Sequence, residues 1–248
     1  MATHLPETVA SPASSGMRER LIVALDVSSA AEAQRLVQRI GEAAGIYKVG
    51  LQLFTAEGPS VVRELVSSGK RVFLDLKLHD IPNTVGHAVH AAAELGAHML
   101  TVHASGGAAM LRAATEASAG RVNLLAVTVL TSLSDDDMPQ IGVPDKVVEQ
   151  ALRLAALARS TGCQGIVTSP RELFPLRKLL GESFTIVTPG IRPEGAAAHD
   201  QQRTATPAQA ISNGASHIVV GRPITHALDP VQAAKAIIAE MEQARISR

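Results

Sequence analysis

Asp75, Lys77 and Asp80 fall close together in the stretch FLDLKLHDIPNTV, residues 73–85. The stretch begins as an apolar strand and runs into a loop. Two carboxylates and an ammonium there are either a solvated surface feature or a costly buried cluster. Side chains two apart in a strand share a face, so Asp75 and Lys77 point one way and Leu74, Leu76 and Leu78 the other. Charges that pair with one another can be held out of water, at a cost in desolvation. Held rigidly, they suit the stabilisation of a charge that develops during a reaction. An ammonium flanked by carboxylates is suited to give a proton to a carbanion rather than to form a Schiff base. Alone, the Asp75–Lys77 pair reads equally well as a structural ion pair inside a barrel. Lys48, in IYKVG, and Asp80 near the same end turn the reading towards a functional site.

A second group of residues points to an anion. Gly190 ends FTIVTPG and Gly221-Arg222 ends HIVVGR, with Arg192 close behind the first glycine. Glycines let backbone N–H groups approach an anion, and a guanidinium can grip two oxygens at once. The matched pair of glycines and arginines fits a phosphorylated ligand; each glycine alone reads as a strand terminus. The polar segment 193–207, PEGAAAHDQQRTATP, is expected to be a mobile lid over that phosphate, or else an ordinary solvated loop.

These residues need elements to position them. Short Val/Ile/Leu-rich runs alternate with helical patterns along the chain: LIVAL, IYKVG, RVFLDLK, HMLTVH, NLLAVTVL, GIVTS, FTIVTPG and HIVVGR. Ser28 is the expected cap of the first helix, Asn83–Leu95 and Val147–Ser160 are expected helices, and Val231–Ala244 closes the chain. Strands with little alternation are covered on both faces. Eight such units predict a single-domain α/β fold, a (β/α)8 TIM barrel over residues 17–248, behind a disordered tail at 1–16. A doubly wound open sheet is the alternative, but the first turn, ALDVSS, lacks its glycines. Chemistry in a barrel sits at the C-terminal ends of the strands. Asp26, Lys48, Asp75, Lys77, His103, Thr131, the TPGIR segment and Gly221-Arg222 all fall there.

Composition removes other classes. With 23 basic and 23 acidic side chains, the net charge of zero gives no footprint for nucleic acid, and aromatics at 2% give no stacking platform. Cys163, the single cysteine, reads as a small core residue in a reducing compartment. Without a secretory or transit pattern or a run of apolar residues long enough for a membrane helix, a soluble cytoplasmic protein is expected. His87 and His90 share a helix face but lack converging ligands for zinc. Asp135, Asp136 and Asp137 are consecutive, so their side chains diverge; they read as a solvated turn. Gly106-Gly107 reads as a tight turn or a ligand approach, and His103 lies at the productive rim.

The stretch DLKLHDIPNT closely resembles the signature of the orotidine 5'-phosphate decarboxylase family. The likeness runs from about Leu21 to Ala244 and includes ALDV, YKVGLQLF, VTVLTS, TPGIRP and VVGRPIT. Related barrels acting on sugar phosphates share the D-x-K-x-x-D skeleton without the IPNT continuation. The resemblance implies a (β/α)8 barrel, active as a dimer, with no metal or organic cofactor. It implies a charged tetrad of Lys48, Asp75, Lys77 and Asp80, with Asp80 and Thr84 reaching into the partner's site. Asp26 and Lys48 would hold ribose hydroxyls, and Thr131 would lie over the pyrimidine. Arg192, Gln201, Gly221 and Arg222 would surround the phosphate. Two rivals stand beside it: a metal-dependent decarboxylase or aldolase for a ketose phosphate, and a non-catalytic phosphosugar or nucleotide sensor.

Overall fold

Eight parallel strands close into a barrel in sequence order, each followed by helix. The structure is a computed structural model and describes residues 16–193 and 204–246. The strands are β1 (Leu21–Ala24), β2 (Ile46–Gly50), β3 (Arg71–Leu78), β4 (Met99–His103), β5 (Asn123–Val127), β6 (Gly165–Val167), β7 (Thr185–Thr188) and β8 (His217–Val220). The principal crossover helices are α1 (Ala30–Ile40), α3 (Pro59–Ser67), α4 (Pro82–Glu94), α5 (Gly107–Ser118), α6 (Val147–Ser160) and α7 (Leu173–Leu180). α2 (Leu51–Glu57) precedes α3, α8 (Pro207–Ser212) precedes β8, and α9 (Arg222–Thr225) and α10 (Pro230–Ile246) close the chain. The expected (β/α)8 barrel in one domain is therefore the fold.

The period of two along each strand separates two cores. Ile22, Ala24, Ile46, Phe73, Met99, Leu125, Val187 and Val219 form one buried cluster, which fills the barrel. Their neighbours Val23, Leu74, Leu100, Ala126, Ile166, Ile186 and Val220 belong to the larger cluster, with Leu36, Val62, Leu65, Val89 and Leu111 from the helices. Burial on both faces explains why the strands read as continuous apolar runs.

Local chemistry sets the helix starts. Pro59, Pro82, Pro207 and Pro230 each open a helix, where a missing N–H costs nothing and the fixed φ is already helical. The cap of α1 is Ser29, not Ser28: the Ser29 hydroxyl accepts from the Glu32 N–H at 3.3 Å. Ser28 instead donates to the Glu32 carboxylate through its N–H and hydroxyl. The strand readings also overran the ladder at the C-terminal rim. NLLAVTVL leaves it after Val127, and GIVTS leaves it after Val167. The Thr128 hydroxyl there donates to the Val167 carbonyl, and Ser169 caps the following turn. Among the described residues no helix is long and apolar enough to cross a membrane.

The opposite, N-terminal end of the barrel holds a buried histidine, His217, and a half-buried one, His98. Burial, reinforced by Arg20, His98 and Arg71, pushes the His217 imidazole down to about 3. Burial and Arg71 push His98 down to about 4. The unfolded chain takes up these protons near pH 6.5, whereas the folded chain does not. Stability is therefore complete above about pH 6.5 and declines as the pH falls towards 4, by up to about 1.4 kcal/mol per pH unit for each imidazole. Urea midpoints measured from pH 7.5 to 4.5 are expected to fall, and to fall less steeply in His217→Gln. A pH dependence identical in the two proteins would contradict this assignment.

Candidate active site

A cleft of about 460 Å3 opens at the C-terminal end of the strands. Asp26 follows β1, Lys48 lies on β2, and Asp75 and Lys77 lie on β3; all four line it. Thr131 lines it from the loop after β5, and Pro189, Gly190 and Arg192 line it from the segment after β7. Gly221, Arg222, Thr225 and His226 complete it beyond β8. The floor is the top of the interior core, where Ala24, Phe73, Val167 and Val219 line the cleft. The structure thus brings together residues that lie about 200 positions apart in the chain.

The charges along one wall alternate in sign. Lys48 Nζ lies 2.8 Å from Asp26 Oδ1 and 3.9 Å from Asp75 Oδ2. Lys77 Nζ lies 2.9 Å from both Asp75 oxygens. Asp75 is thus held between two ammonium groups, and Lys48 between two carboxylates. The Asp75 and Lys48 side chains are only 13% and 12% exposed, against 60% for Asp26. Desolvation therefore falls on the inner pair, and their mutual contacts offset it. Gly50 at the end of β2 keeps room for it: a Cβ there would lie 2.8 Å from Lys48 Nζ.

The backbone of β3 departs from a regular strand at this point. Leu74 pairs with Leu100, and Leu78 with Val102, so three residues of β3 face Thr101 alone on β4. Lys77 takes up the irregularity with φ of +51°, in the left-handed region. That conformation costs a non-glycine residue roughly 1–2 kcal/mol. The alternation of faces survives: Phe73 belongs to the interior core, and Asp75 and Lys77 line the cleft above it. Thr101, fully buried, accepts from the Lys77 N–H at 2.8 Å and donates to Asp75 Oδ1 at 2.9 Å.

The other end of the cleft is cationic. Burial lowers the Arg192 guanidinium from its ordinary value, and the neighbouring Arg222 charge lowers it further. Two guanidiniums that repel one another attract a shared anion. Arg192 Nη1 donates to the Ile191 carbonyl, and its buried Nε has no hydrogen-bond partner among the described residues. Gly190 has φ of +78°, which a side chain would strain, and its turn carries the chain from β7 towards Arg192. Gly221 sits at the N-terminus of α9, the position from which barrels commonly reach a phosphate.

Asp80 and Thr84 stand apart from this cleft. Both are exposed on the loop and first turn after β3, and Asp80 Oδ1 accepts from the Ile81 N–H at 2.6 Å. Gln201 and most of the expected lid lie outside the described residues. His103 ends β4 with its ring 5.3 Å from that of His79. Burial lowers its imidazole below the ordinary value, His79 and Lys77 add to this, and Asp75 opposes it.

The sequence reading does not single out Thr101, Thr225, His226 or the buried cluster around Glu172. Glu172 is 1% exposed, and its carboxylate accepts from the Thr168 and Ser169 hydroxyls and the Ser169 N–H. Thr101 had a visible signal: it alternates with Met99 and His103, which places it on the barrel side of β4. Glu172 had a weaker one, the S-x-x-E spacing of a capping box.

Fold and site together define a (β/α)8-barrel protein with alternating carboxylate and ammonium groups on one wall of its C-terminal cleft and two arginines at the far end. Residues 19–237 match the orotidine 5'-phosphate decarboxylase / HUMPS family, and the chain belongs to that family. It is 50% identical to the orotidine 5'-phosphate decarboxylase of Moorella thermoacetica, over 92% of this chain and 94% of that protein. It is also 50% identical to the protein of that name from Hahella chejuensis, over 90% of this chain and 97% of the other. The crystal structure of orotidine 5'-phosphate decarboxylase from Lactobacillus acidophilus superposes with a TM-score of 0.81 at 40% identity, covering 90% of this chain and 99% of that one.

Proposed function

We propose that the protein converts orotidine 5'-phosphate to UMP, a step of de novo pyrimidine biosynthesis, using only its own side chains and no metal or organic cofactor. The observation that carries this is the Lys77 ammonium, 2.9 Å from both oxygens of Asp75 within a cleft that ends in two arginines. The names of relatives at 50% identity support the substrate.

The reaction breaks the bond from C6 of the pyrimidine to its carboxylate and leaves an electron pair on C6. That vinylic carbanion has no obvious electron sink in the ring. The Lys77 ammonium stabilises the pair electrostatically and then gives C6 a proton, which solvent returns to the lysine. Asp75 would lie near the departing carboxylate, so its charge favours release of CO2 and its pairing keeps Lys77 aimed. Asp26 and Lys48 hold the ribose hydroxyls, and Thr131 lies over the pyrimidine. Arg192, Gln201, Gly221 and Arg222 hold the phosphate.

The reading includes a homodimer. Asp80 and Thr84 belong to the partner's site in this account, and their exposure in the single chain supports that assignment. Ile81, 66% exposed between them, is an apolar side chain that such an interface would cover. A cytoplasmic location follows from the proposed pathway.

A comparison of two substrates tests the reading. Orotidine 5'-phosphate is expected to lose orotate absorbance in the presence of the protein, with UMP as product. Orotidine, which lacks the phosphate, is expected to react with kcat as well as kcat/KM lowered, by about a hundredfold or more. Binding energy from the remote phosphate is used in the transition state, not only in the ground state. No turnover of the nucleotide would remove the proposed activity. Equal rates for the two substrates would remove the role of the cationic end.

A further inference from the structure

We propose that Thr101 is a positioning residue for the reaction, acting through Lys77 and Asp75. The inference rests on the catalytic role proposed above for Lys77. It starts from the irregular pairing of β3 with β4, where residues 75, 76 and 77 face Thr101 alone. An interrupted ladder leaves backbone groups to be satisfied by other means. The Thr101 hydroxyl does this for the Lys77 N–H, at 2.8 Å.

The same oxygen carries one hydrogen, and it goes to Asp75 Oδ1 at 2.9 Å. One hydroxyl can donate once and accept as well. Thr101 therefore joins the backbone of Lys77 to the carboxylate of Asp75, while the Lys77 ammonium closes the ring through both Asp75 oxygens. The closed path has three consequences. It holds Lys77 in a left-handed conformation that a lysine seldom adopts. It fixes the rotation of the Asp75 carboxylate. It places the ammonium by a backbone anchor rather than by its flexible stem alone. Thr101 is fully buried, so water cannot take over its two hydrogen bonds without rearrangement. Its β-branched side chain also has restricted χ1 freedom, which keeps the hydroxyl aimed.

The test is a series at this position assayed on orotidine 5'-phosphate. Thr101→Val keeps the branched shape and removes the hydroxyl; Thr101→Ser keeps the hydroxyl and removes the methyl. Thr101→Val is expected to lower kcat by about 10- to 100-fold, the scale of a catalytic group displaced by about 1 Å. KM is expected to change by less than about threefold, because Thr101 touches none of the proposed ribose and phosphate contacts. Thr101→Ser is expected to recover kcat to within about threefold of the parent protein. Thermal unfolding of each variant separates lost turnover from lost fold. Should Thr101→Val not fold, Thr101→Cys serves in its place, since a thiol is a weak donor and a weak acceptor. Parent-like kcat in the variant lacking the hydroxyl, or equal losses in it and in Thr101→Ser, would overturn the inference. Lys77→Ala assayed in parallel isolates the underlying reading: if it turns over normally, Lys77 is not catalytic, whatever Thr101 does.

Discussion

Lys77→Ala is expected to reduce decarboxylation by at least about ten-thousandfold while leaving a folded protein. Two effects are lost together. A positioned general acid contributes about 10²- to 10⁴-fold, and a preorganised charge at the site of a developing anion about 10²- to 10³-fold. The fold should survive. The Lys77 side chain is 31% exposed, so its removal opens no deep cavity. Asp75 keeps the Thr101 hydroxyl at 2.9 Å and the Lys48 ammonium at 3.9 Å. Loss of its closest cation should cost about 1–3 kcal/mol, well short of unfolding a barrel of this size. A cooperative thermal transition in the variant, together with unmeasurable turnover, is the expected pair of results. Near-normal activity would remove Lys77 from the mechanism.

The second large effect concerns Asp80. Asp80→Ala alone is expected to be nearly inactive, and so is Lys77→Ala alone. Mixed as subunits, the two should regain activity. In a mixed dimer, the barrel that keeps Lys77 receives its Asp80 from the other subunit and is complete. The second barrel lacks both. Random reassortment makes half of the dimers mixed, with one good site of two, so the ceiling is about a quarter of the parent activity. If Asp80 served its own barrel, neither site of the mixed dimer would be complete and no activity would return. The exposed position of Asp80, with Ile81 beside it, supports the first outcome. Analytical ultracentrifugation of the mixture would verify that dimers form and exchange.

The parts of this account that were readable in the sequence share a physical cause. Barrel strands buried on both faces leave short runs such as LIVAL and HIVVGR, and these repeat with helices between them. The period of two then placed Asp75 and Lys77 on the barrel side, above Phe73. α2, α8 and α9 escaped notice because seven, six and four residues carry too few turns for a helical period to emerge. Ser28 and Ser29 offer the same capping chemistry at adjacent positions, and only backbone geometry selects the second.

The extra residues in β3 were invisible for a deeper reason. FLDLKL alternates without a break, and the irregularity exists only relative to β4, which lies more than twenty residues away in the chain. The left-handed Lys77 and its bond to Thr101 follow from that cross-strand register. Asp80 and Thr84 show a related limit. Their types and positions could be read, but the cleft of a single chain does not include them.

The central claim is that the Lys77–Asp75 pair, with no metal ion, carries out the decarboxylation. The most direct measurement assays the parent protein and Lys77→Ala side by side on orotidine 5'-phosphate in excess chelator, following UMP and CO2 together. The account predicts equal amounts of the two products from the parent protein, at a rate the chelator does not change, and none above background from the variant. A parent protein silenced by chelator, or a variant that still makes UMP, would contradict it.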